Sequence, residues 1–155
     1  MCLNLISQKK PKIIDRLFNF CFNKNQQNKI FKEFYLNRIE IKKISKMGME
    51  IGSHGHSHKV LSLMKKKEQL QDIKKSVFYL KKIIGKKINF FCYPYGGREV
   101  YNKYTLSILK KLKISKGISV ESRKLNRNDN LLEIPRFDCI DFPYGKAFKK
   151  NETKI

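Results

Sequence analysis

The sequence of 155 residues contains no tryptophan and few acidic residues, with 13 Asp and Glu against 35 Lys and Arg. It has no apolar run approaching the roughly 18 residues that a membrane-spanning helix needs. The first ten residues, Met1–Lys10, include no apolar core long enough for a signal peptide. These absences predict a chain without a membrane span, and our expectation from them is a cytoplasmic location.

The chain also lacks any C-x-x-C pair among its four cysteines, which are Cys2, Cys21, Cys92 and Cys139. Their spacing is typical neither of a zinc ribbon nor of a disulfide framework. Three of them lie in apolar stretches of sequence, where a free cysteine behaves as a small hydrophobic side chain. We therefore predict buried, unpaired thiols.

Arginine is scarce although the net charge is +22, so lysine supplies most of the basic excess. Sites that read bases or bind phosphate in a bidentate way favour arginine over lysine. The abundance of Lys, Asn and Ile together is typical of an AT-rich coding sequence. We favour that interpretation, and a charge-driven binder of nucleic acid or another anionic polymer stays as an alternative. A hydrophobic content of 41% in a chain of this length predicts one globular domain.

All three histidines, His54, His56 and His58, lie within five residues. A short apolar segment precedes them and a long amphipathic helical pattern follows, so they occupy a loop between a predicted strand and a predicted helix. Neutral imidazole is the commonest protein ligand for zinc and similar metals. In α/β folds the loops that follow strands usually carry the chemistry. The pattern therefore predicts a functional loop.

Hydrophobic periodicity and turn residues predict the remaining elements. Helices are predicted at residues 12–23, 38–47, 65–84 and 99–112, and strands at residues 49–52, 88–93 and 118–120. Polar segments at 23–29 and 123–130 are predicted to be loops, and residues 116–117 a turn. The alternation of strands and helices indicates a parallel α/β sheet or barrel.

Three motifs, in this order and spacing, resemble the polysaccharide deacetylase family of the NodB-homology type. The sequence Glu50-Ile51-Gly52-Ser53-His54, with His58 and then Leu61-Ser62, resembles the second motif of the family. A strand that ends in a Pro-Tyr-Gly turn follows at Phe91-Cys92-Tyr93-Pro94-Tyr95-Gly96. The segment Leu132-Glu133-Ile134-Pro135-Arg136-Phe137-Asp138, with Asp141-Phe142-Pro143, is similar to the closing motif of branches linked to surface-sugar biosynthesis.

The resemblance implies an α/β fold that is a partial, distorted (β/α) barrel, with the deacetylase-like domain at residues 38–143. Residues 1–37 would form a helical segment of uncertain placement, and residues 144–155 a basic tail. The implied activity is metal-dependent hydrolysis of acetyl groups, from amides and also from esters, on sugars or polysaccharides. An acetylated sugar or polysaccharide is then the expected partner.

The resemblance also assigns roles to individual residues. His54 and His58 match the two imidazole ligands of a divalent metal, for which zinc is the expected ion. The backbone N–H of Tyr95 matches the donor that stabilises the oxyanion. The substrate-binding wall would comprise Tyr93, Pro94, Tyr95 and Gly96, although packing is the favoured role for the Tyr93 side chain.

Two more residues are catalytic candidates, Asp138 and Arg136. The family often uses a late histidine as general acid, and no histidine follows His58 in this chain, so Asp138 or Asp141 is the candidate substitute. Arg136 would pair with Asp138 or with another carboxylate of the site, and a purely structural role for it is an equal alternative.

The first motif of the family, a strand ending in two aspartates, has no match in residues 1–53, where Asp15 is the only aspartate. One of those aspartates is a metal ligand in the family and the other is the catalytic base. The chain is therefore interpreted either as part of a longer deacetylase, with Met1 an internal start or the product of a frameshift, or as a degenerate homologue. We expect weak metal affinity and an exposed sheet edge that favours self-association or a partner chain.

Three function hypotheses follow. The first is a metal-dependent sugar deacetylase, complete or truncated. The second is a non-catalytic homologue that binds carbohydrate through the aromatic turn at residues 93–95. The third is the charge-driven binder of nucleic acid or another anionic polymer, which is the least favoured.

Overall fold

The structure is a computed structural model that describes residues 13–142. The chain divides into two compact units with their boundary between Met49 and Glu50. The division of the sequence at residues 38 and 143 stays a prediction. Cys2 and the tail predicted at 144–155 lie outside the described residues.

Within its described residues, 13–49, the first unit contains three helices: α1 over residues 13–21, α2 at Lys24–Phe34 and α3 at Arg38–Lys46. The predicted loop at 23–29 is wrong because those residues begin α2. The Asn23 side chain accepts a hydrogen bond from the Gln26 N–H, and the Gln26 side chain accepts one from the Asn23 N–H. This reciprocal capping box starts a helix in a polar stretch that has no apolar periodicity.

The prediction for α3 is confirmed at both ends. The Asn37 side chain accepts hydrogen bonds from the N–H groups of Ile39 and Glu40, which satisfies donors of the first turn. The helix stops before Gly48, whose φ of +93° is the left-handed conformation that glycine adopts without steric cost.

In the described part of the second unit, the α-helices are α4 at Lys66–Ile84 and the shorter α5 at Lys103–Lys111. Gly85 ends α4 with a φ of +70°, so the predicted helix at 65–84 is confirmed. The helix predicted at 99–112 begins later. Asn102 caps α5, and Arg98–Val100 forms a separate turn of 3₁₀ helix before it.

Four chain segments run parallel to one another in sequence order. The strands β1, Phe90–Cys92, and β2, Lys116–Ile118, pair along their length. Single bridges add Ser53 beside Phe91 on one side and Ile134 beside Ile118 on the other. The predicted strand at 49–52 is wrong, because these residues pair with no described segment and the isolated bridge is at the next residue, Ser53. Parallel segments in sequence order leave the loops that follow them at one edge of the sheet.

The strand predicted at 118–120 begins two residues earlier in the structure, at Lys116, and Gly117 is a strand residue and not a turn. The Gly117 N–H donates to the Leu131 carbonyl, and the Ile134 N–H donates to the Gly117 carbonyl. A side chain at position 117 would collide with the carbonyl oxygen of Leu132. Glycine therefore serves close approach between neighbouring segments here.

The hydrophobic core of the second unit lies between the parallel segments and helices α4 and α5. Phe91, Leu61, Ile73 and Leu109 are each 0% exposed. Phe91 lies on β1, Leu61 in the segment that precedes α4, Ile73 on α4 and Leu109 on α5. The core therefore joins the sheet to both helices. This packing fixes the edge at which the histidine loop begins.

Two features bear on the predictions from composition. Among the helices that the structure describes, none has the length and apolar character needed to cross a membrane. Cys21 and Cys139 are exposed and Cys92 is partly buried, and all three are free thiols. The prediction of buried thiols is therefore wrong for Cys21 and Cys139.

Candidate active site

The histidine loop, residues 54–58, begins at a residue that is anchored on two sides. The Ser53 N–H donates to the Phe90 carbonyl, and the Ser53 carbonyl accepts from the Cys92 N–H. The Ser53 hydroxyl lies 2.7 Å from the hydroxyl of Ser76 on α4, and Ser53 is 1% exposed. The loop therefore leaves the edge of the sheet from a fixed point.

One ring nitrogen of His54 bonds to the protein backbone, and within residues 13–142 the other has no hydrogen-bond partner. Its Nδ1 lies 2.8 Å from the carbonyl oxygen of Cys92. Because a carbonyl only accepts, Nδ1 must carry the hydrogen, and in the neutral imidazole Nε2 then carries the lone pair. Metal-binding histidines are commonly oriented by such a hydrogen bond from the second nitrogen to a backbone carbonyl. The ring is exposed, so Nε2 can receive a ligand.

The structure brings His54, His58 and Tyr95 together. The His58 ring centroid lies 4.9 Å from that of His54 and 4.9 Å from that of Tyr95. His58 and Tyr95 both have left-handed backbones, with φ of +51° and +66°. Non-glycine residues in this conformation cost free energy and often mark functional sites. The ring of His56 is exposed and makes no ring contact within residues 13–142.

The Pro-Tyr-Gly turn presents Tyr95 while its neighbours are buried. Gly96 has a φ of +73°, and a Cβ there would lie 2.5 Å from Val120. The Gly96 carbonyl accepts from the Val120 N–H, and the Tyr95 carbonyl accepts from the Gly97 N–H. Within residues 13–142 the Tyr95 N–H donates to no protein acceptor. The turn therefore holds a free backbone donor beside the histidines.

Tyr93 and Pro94 are buried. The Tyr93 hydroxyl donates to the Leu132 carbonyl at 2.5 Å, and its ring stacks on Tyr101 at 3.9 Å between centroids. The Tyr93 side chain therefore packs in the core. A substrate contact by that ring stays a prediction, and this burial argues against it.

The stacked tyrosines make the second unit sensitive to alkali. Burial, together with the carboxylate of Glu133, raises the pKa of Tyr101 to about 12 from an ordinary value of 10.0. Burial also raises the pKa of Tyr93. On raising the pH, both tyrosines ionise in the unfolded chain before they ionise in the folded one. Their contribution to the free energy of unfolding is therefore fully present below pH 10 and falls as pH rises from about 10 to about 12. We expect chemical denaturation at increasing pH to show this fall in the free energy of unfolding. The fall should be smaller in Tyr101→Phe and unchanged in Tyr95→Phe.

Arg136 and Asp138 do not meet. Arg136 is exposed, and its guanidinium lowers the pKa of the Cys92 thiol against the larger raising effect of burial. Asp138 caps a turn of 3₁₀ helix with Asp141, whose carboxylate accepts from the Asp138 N–H at 2.8 Å. Within residues 13–142 there is no ion pair between Arg136 and Asp138, and their catalytic roles stay predictions.

A network of arginines and carboxylates, which the sequence did not predict, orders the segment after β2. Glu121 accepts hydrogen bonds from Arg98 and Arg123, and the bond from Arg98 is the main cause of its lowered pKa. Arg123 also donates to both carboxylate oxygens of Asp129 through its two terminal guanidinium nitrogens, at 2.7 and 3.0 Å. The network joins the Pro-Tyr-Gly turn to the loop after β2.

Asp72 on α4 is the site residue that sequence reasoning missed. It is 8% exposed, and its carboxylate accepts hydrogen bonds from the N–H of His56 at 2.8 Å and from the N–H and hydroxyl of Ser57 at 2.9 and 2.6 Å. A signal existed in the sequence. Polar Gln69, Asp72 and Ser76 recur at helical spacing on the same face as the apolar Ile73.

Two converging imidazoles suit a divalent metal such as zinc, but zinc ordinarily takes four ligands. Within the described part of the chain, no group of three or more His, Cys, Asp or Glu side chains is placed to hold a metal ion. The imidazoles of His54 and His58 therefore fit two of the four ligand positions that a zinc ion ordinarily has.

Comparison with known proteins agrees with this geometry. The sequence profile described as polysaccharide deacetylase matches residues 18–117. A poly-beta-1,6-N-acetyl-D-glucosamine N-deacetylase of Staphylococcus aureus is 31% identical over 124 residues, which cover 74% of this chain and 42% of that protein. The chain therefore spans less than half the length of this relative.

Two solved structures share the fold. The deacetylase PplD of Streptococcus pyogenes, in complex with acetate, superposes with a TM-score of 0.61 at 25% identity, over 66% of this chain and 44% of that one. The deacetylase domain of BpsB from Bordetella bronchiseptica gives a TM-score of 0.61 at 17% identity, over 67% of this chain and 49% of that one. The profile match covers well over half of the sequence and includes the histidine loop and the Pro-Tyr-Gly turn, so the resemblance to the family is confirmed and the chain belongs to the polysaccharide deacetylase family.

Proposed function

We propose that this chain carries the histidine side of the active site of a metal-dependent hydrolase that removes N-acetyl groups from an amino-sugar polysaccharide. Family membership supports the reaction class. The S. aureus relative, which by its name acts on poly-β-1,6-N-acetyl-D-glucosamine, supports a polymer of N-acetylated glucosamine as the substrate class.

The observation that carries the proposal is the orientation of His54. Its Nδ1 is engaged by the Cys92 carbonyl at 2.8 Å, and its ring centroid lies 4.9 Å from that of His58. These two residues would hold the metal ion. When bound, a zinc ion would polarise the acetyl carbonyl and lower the pKa of a bound water.

The chain itself would contribute the oxyanion donor. An N–H that is already oriented stabilises the negative charge on the tetrahedral carbon's oxygen without reorganising during the reaction. The Tyr95 N–H is such a donor, because buried neighbours and the Val120–Gly96 hydrogen bond fix the turn. The exposed Tyr95 ring beside His58 would form a wall of the sugar site.

The parallel order of the segments at Ser53, β1, β2 and Ile134 supports a partial (β/α) barrel. In that arrangement the loop after Ser53 and the turn after β1 open at the same edge, which is how His58 and Tyr95 meet. Carboxylates from outside residues 13–142, on the same protein or on a partner chain, would complete the metal ligands and supply the base.

An acetate-release assay tests the proposal. We expect the protein to bind one cobalt or zinc ion per chain. We expect it to release acetate from a β-1,6-linked N-acetylglucosamine oligomer once the carboxylates that complete the site are present, with the release abolished by a chelator. Failure to bind either metal at micromolar to millimolar concentration would contradict the proposal.

A non-catalytic homologue that binds carbohydrate is the second candidate, because the described residues supply only two metal ligands. For this candidate we expect metal and oligomer binding without acetate release, with the oligomer affinity reduced in Tyr95→Ala. Unchanged oligomer affinity in that variant would reject it.

A further inference from the structure

We propose that Asp72 is the positioning residue that sets the geometry of the histidine pair, and this inference rests on the proposed metal site. Asp72 lies on α4, and the histidine loop packs on it. The three donors that its carboxylate accepts all belong to His56 and Ser57, the residues between the two proposed ligands.

The hydrogen bonds are divided between the two carboxylate oxygens. Oδ2 accepts the N–H of His56, while Oδ1 accepts both the N–H and the hydroxyl of Ser57. Two successive backbone N–H groups therefore point to one side chain, which forces a tight turn. The next residue is His58, with its left-handed φ of +51°. Charge-assisted bonds of this kind are stronger than neutral ones, and they can hold a backbone conformation that is costly on its own.

Gly55 supports the same assignment. Its φ is +76°, and a Cβ at this position would lie 2.9 Å from Oδ2 of Asp72. The glycine thus allows the carboxylate to approach the loop backbone closely.

Asp72 acts through the loop rather than on the metal. Both of its oxygens are engaged by loop donors, and within residues 13–142 it belongs to no cluster of three ligating side chains. Its expected contribution is to hold the His58 ring opposite the His54 ring, whose own orientation is fixed by Cys92.

The decisive variant is Asp72→Asn, which keeps the size of the side chain. An amide has one acceptor oxygen, and its NH₂ group would face a loop donor. We expect cobalt affinity, measured by titration calorimetry on folded protein, to fall about 10-fold to 100-fold, the range typical when a group that orients a metal ligand is removed. Amide hydrogen exchange at His56 and Ser57 should accelerate at the same time.

Gln69→Leu is the matched control. Gln69 is also buried on α4, but its side chain bonds the Met64 carbonyl and the Thr105 hydroxyl and not the histidine loop. We expect this variant to lose stability and to keep both the cobalt affinity and the slow exchange at His56 and Ser57. If Asp72 contributed only to stability, Asp72→Asn would change the cobalt affinity and the amide exchange no more than Gln69→Leu does.

Wild-type affinity and wild-type exchange in Asp72→Asn would overturn the inference. If Asp72→Asn does not fold, Ser57→Ala removes only the hydroxyl bond, and we then expect faster exchange at residues 56 and 57 with a smaller loss of affinity. Absence of either effect would again overturn it. If the wild-type protein binds no cobalt, the proposed function fails, while amide exchange still decides whether Asp72 orders the loop.

Discussion

Replacing His54 and His58 together by alanine is expected to abolish zinc and cobalt binding. Nδ1 of His54 is engaged by the Cys92 carbonyl, which leaves Nε2 for a metal ion, and the His58 ring centroid lies 4.9 Å from that of His54. Within residues 13–142 no group of three or more ligating side chains is placed to hold a metal ion, so removing both imidazoles leaves the proposed site without a side-chain ligand. Titration calorimetry of the folded double variant measures the loss directly, and each single variant should weaken binding by at least about tenfold.

His56→Ala is the control for that experiment. The His56 side chain is exposed, and only its backbone N–H takes part in holding the loop. We expect this variant to bind metal as the wild type does. Because all three rings are exposed, thermal stability without metal should change little in any of these variants. Unchanged metal uptake in the double variant would place the site elsewhere.

Phe91→Ala is expected to lower the free energy of unfolding of the second unit by about 3–5 kcal/mol, the usual range for a buried phenylalanine. Phe91 is 0% exposed, and β1 places it between Ser53 and Gly117. Its ring also lies 5.4 Å from that of Tyr93. A loss of this size is a large fraction of the roughly 5–15 kcal/mol that stabilises a domain. Urea denaturation followed by circular dichroism measures it.

Phe78→Ala is the matched control on the surface. Phe78 is 54% exposed on α4, so its truncation leaves no buried cavity and should cost less than about 1 kcal/mol. Equal losses in the two variants would contradict the placement of the core behind β1. The Phe91 variant should also loosen the start of the histidine loop, because Ser53 pairs with that strand.

Helices α3 and α4 could be predicted because their apolar spacing and their glycine stops are local features. The start of α2 could not be predicted from periodicity, because the capping box of Asn23 and Gln26 starts it in a polar segment. The predicted limits of the strands were less accurate than those of these helices. The pairing at Ser53 and at Gly117 depends on neighbours distant in sequence, and apolar runs do not report where such pairing begins or ends.

The same distinction applies to the site. The motif residues His54, His58 and Tyr95 meet because their loops leave adjacent parallel segments, which the order of strands and helices already indicates. Asp72 was missed because its role depends on the packing of α4 against a loop that precedes it by about fifteen residues. Arg136 and Asp138 were chosen for their residue types, and side-chain geometry does not pair them.

Proton NMR of the cobalt-loaded protein tests the central claim, that His54 and His58 bind the metal. A paramagnetic ion shifts the resonances of the imidazoles that bind it. We predict a strongly shifted, slowly exchanging N–H signal from Nδ1 of His54, protected by its bond to the Cys92 carbonyl and absent from His54→Ala. Spectra without shifted imidazole signals, or a shifted signal lost only in His56→Ala, would contradict the account.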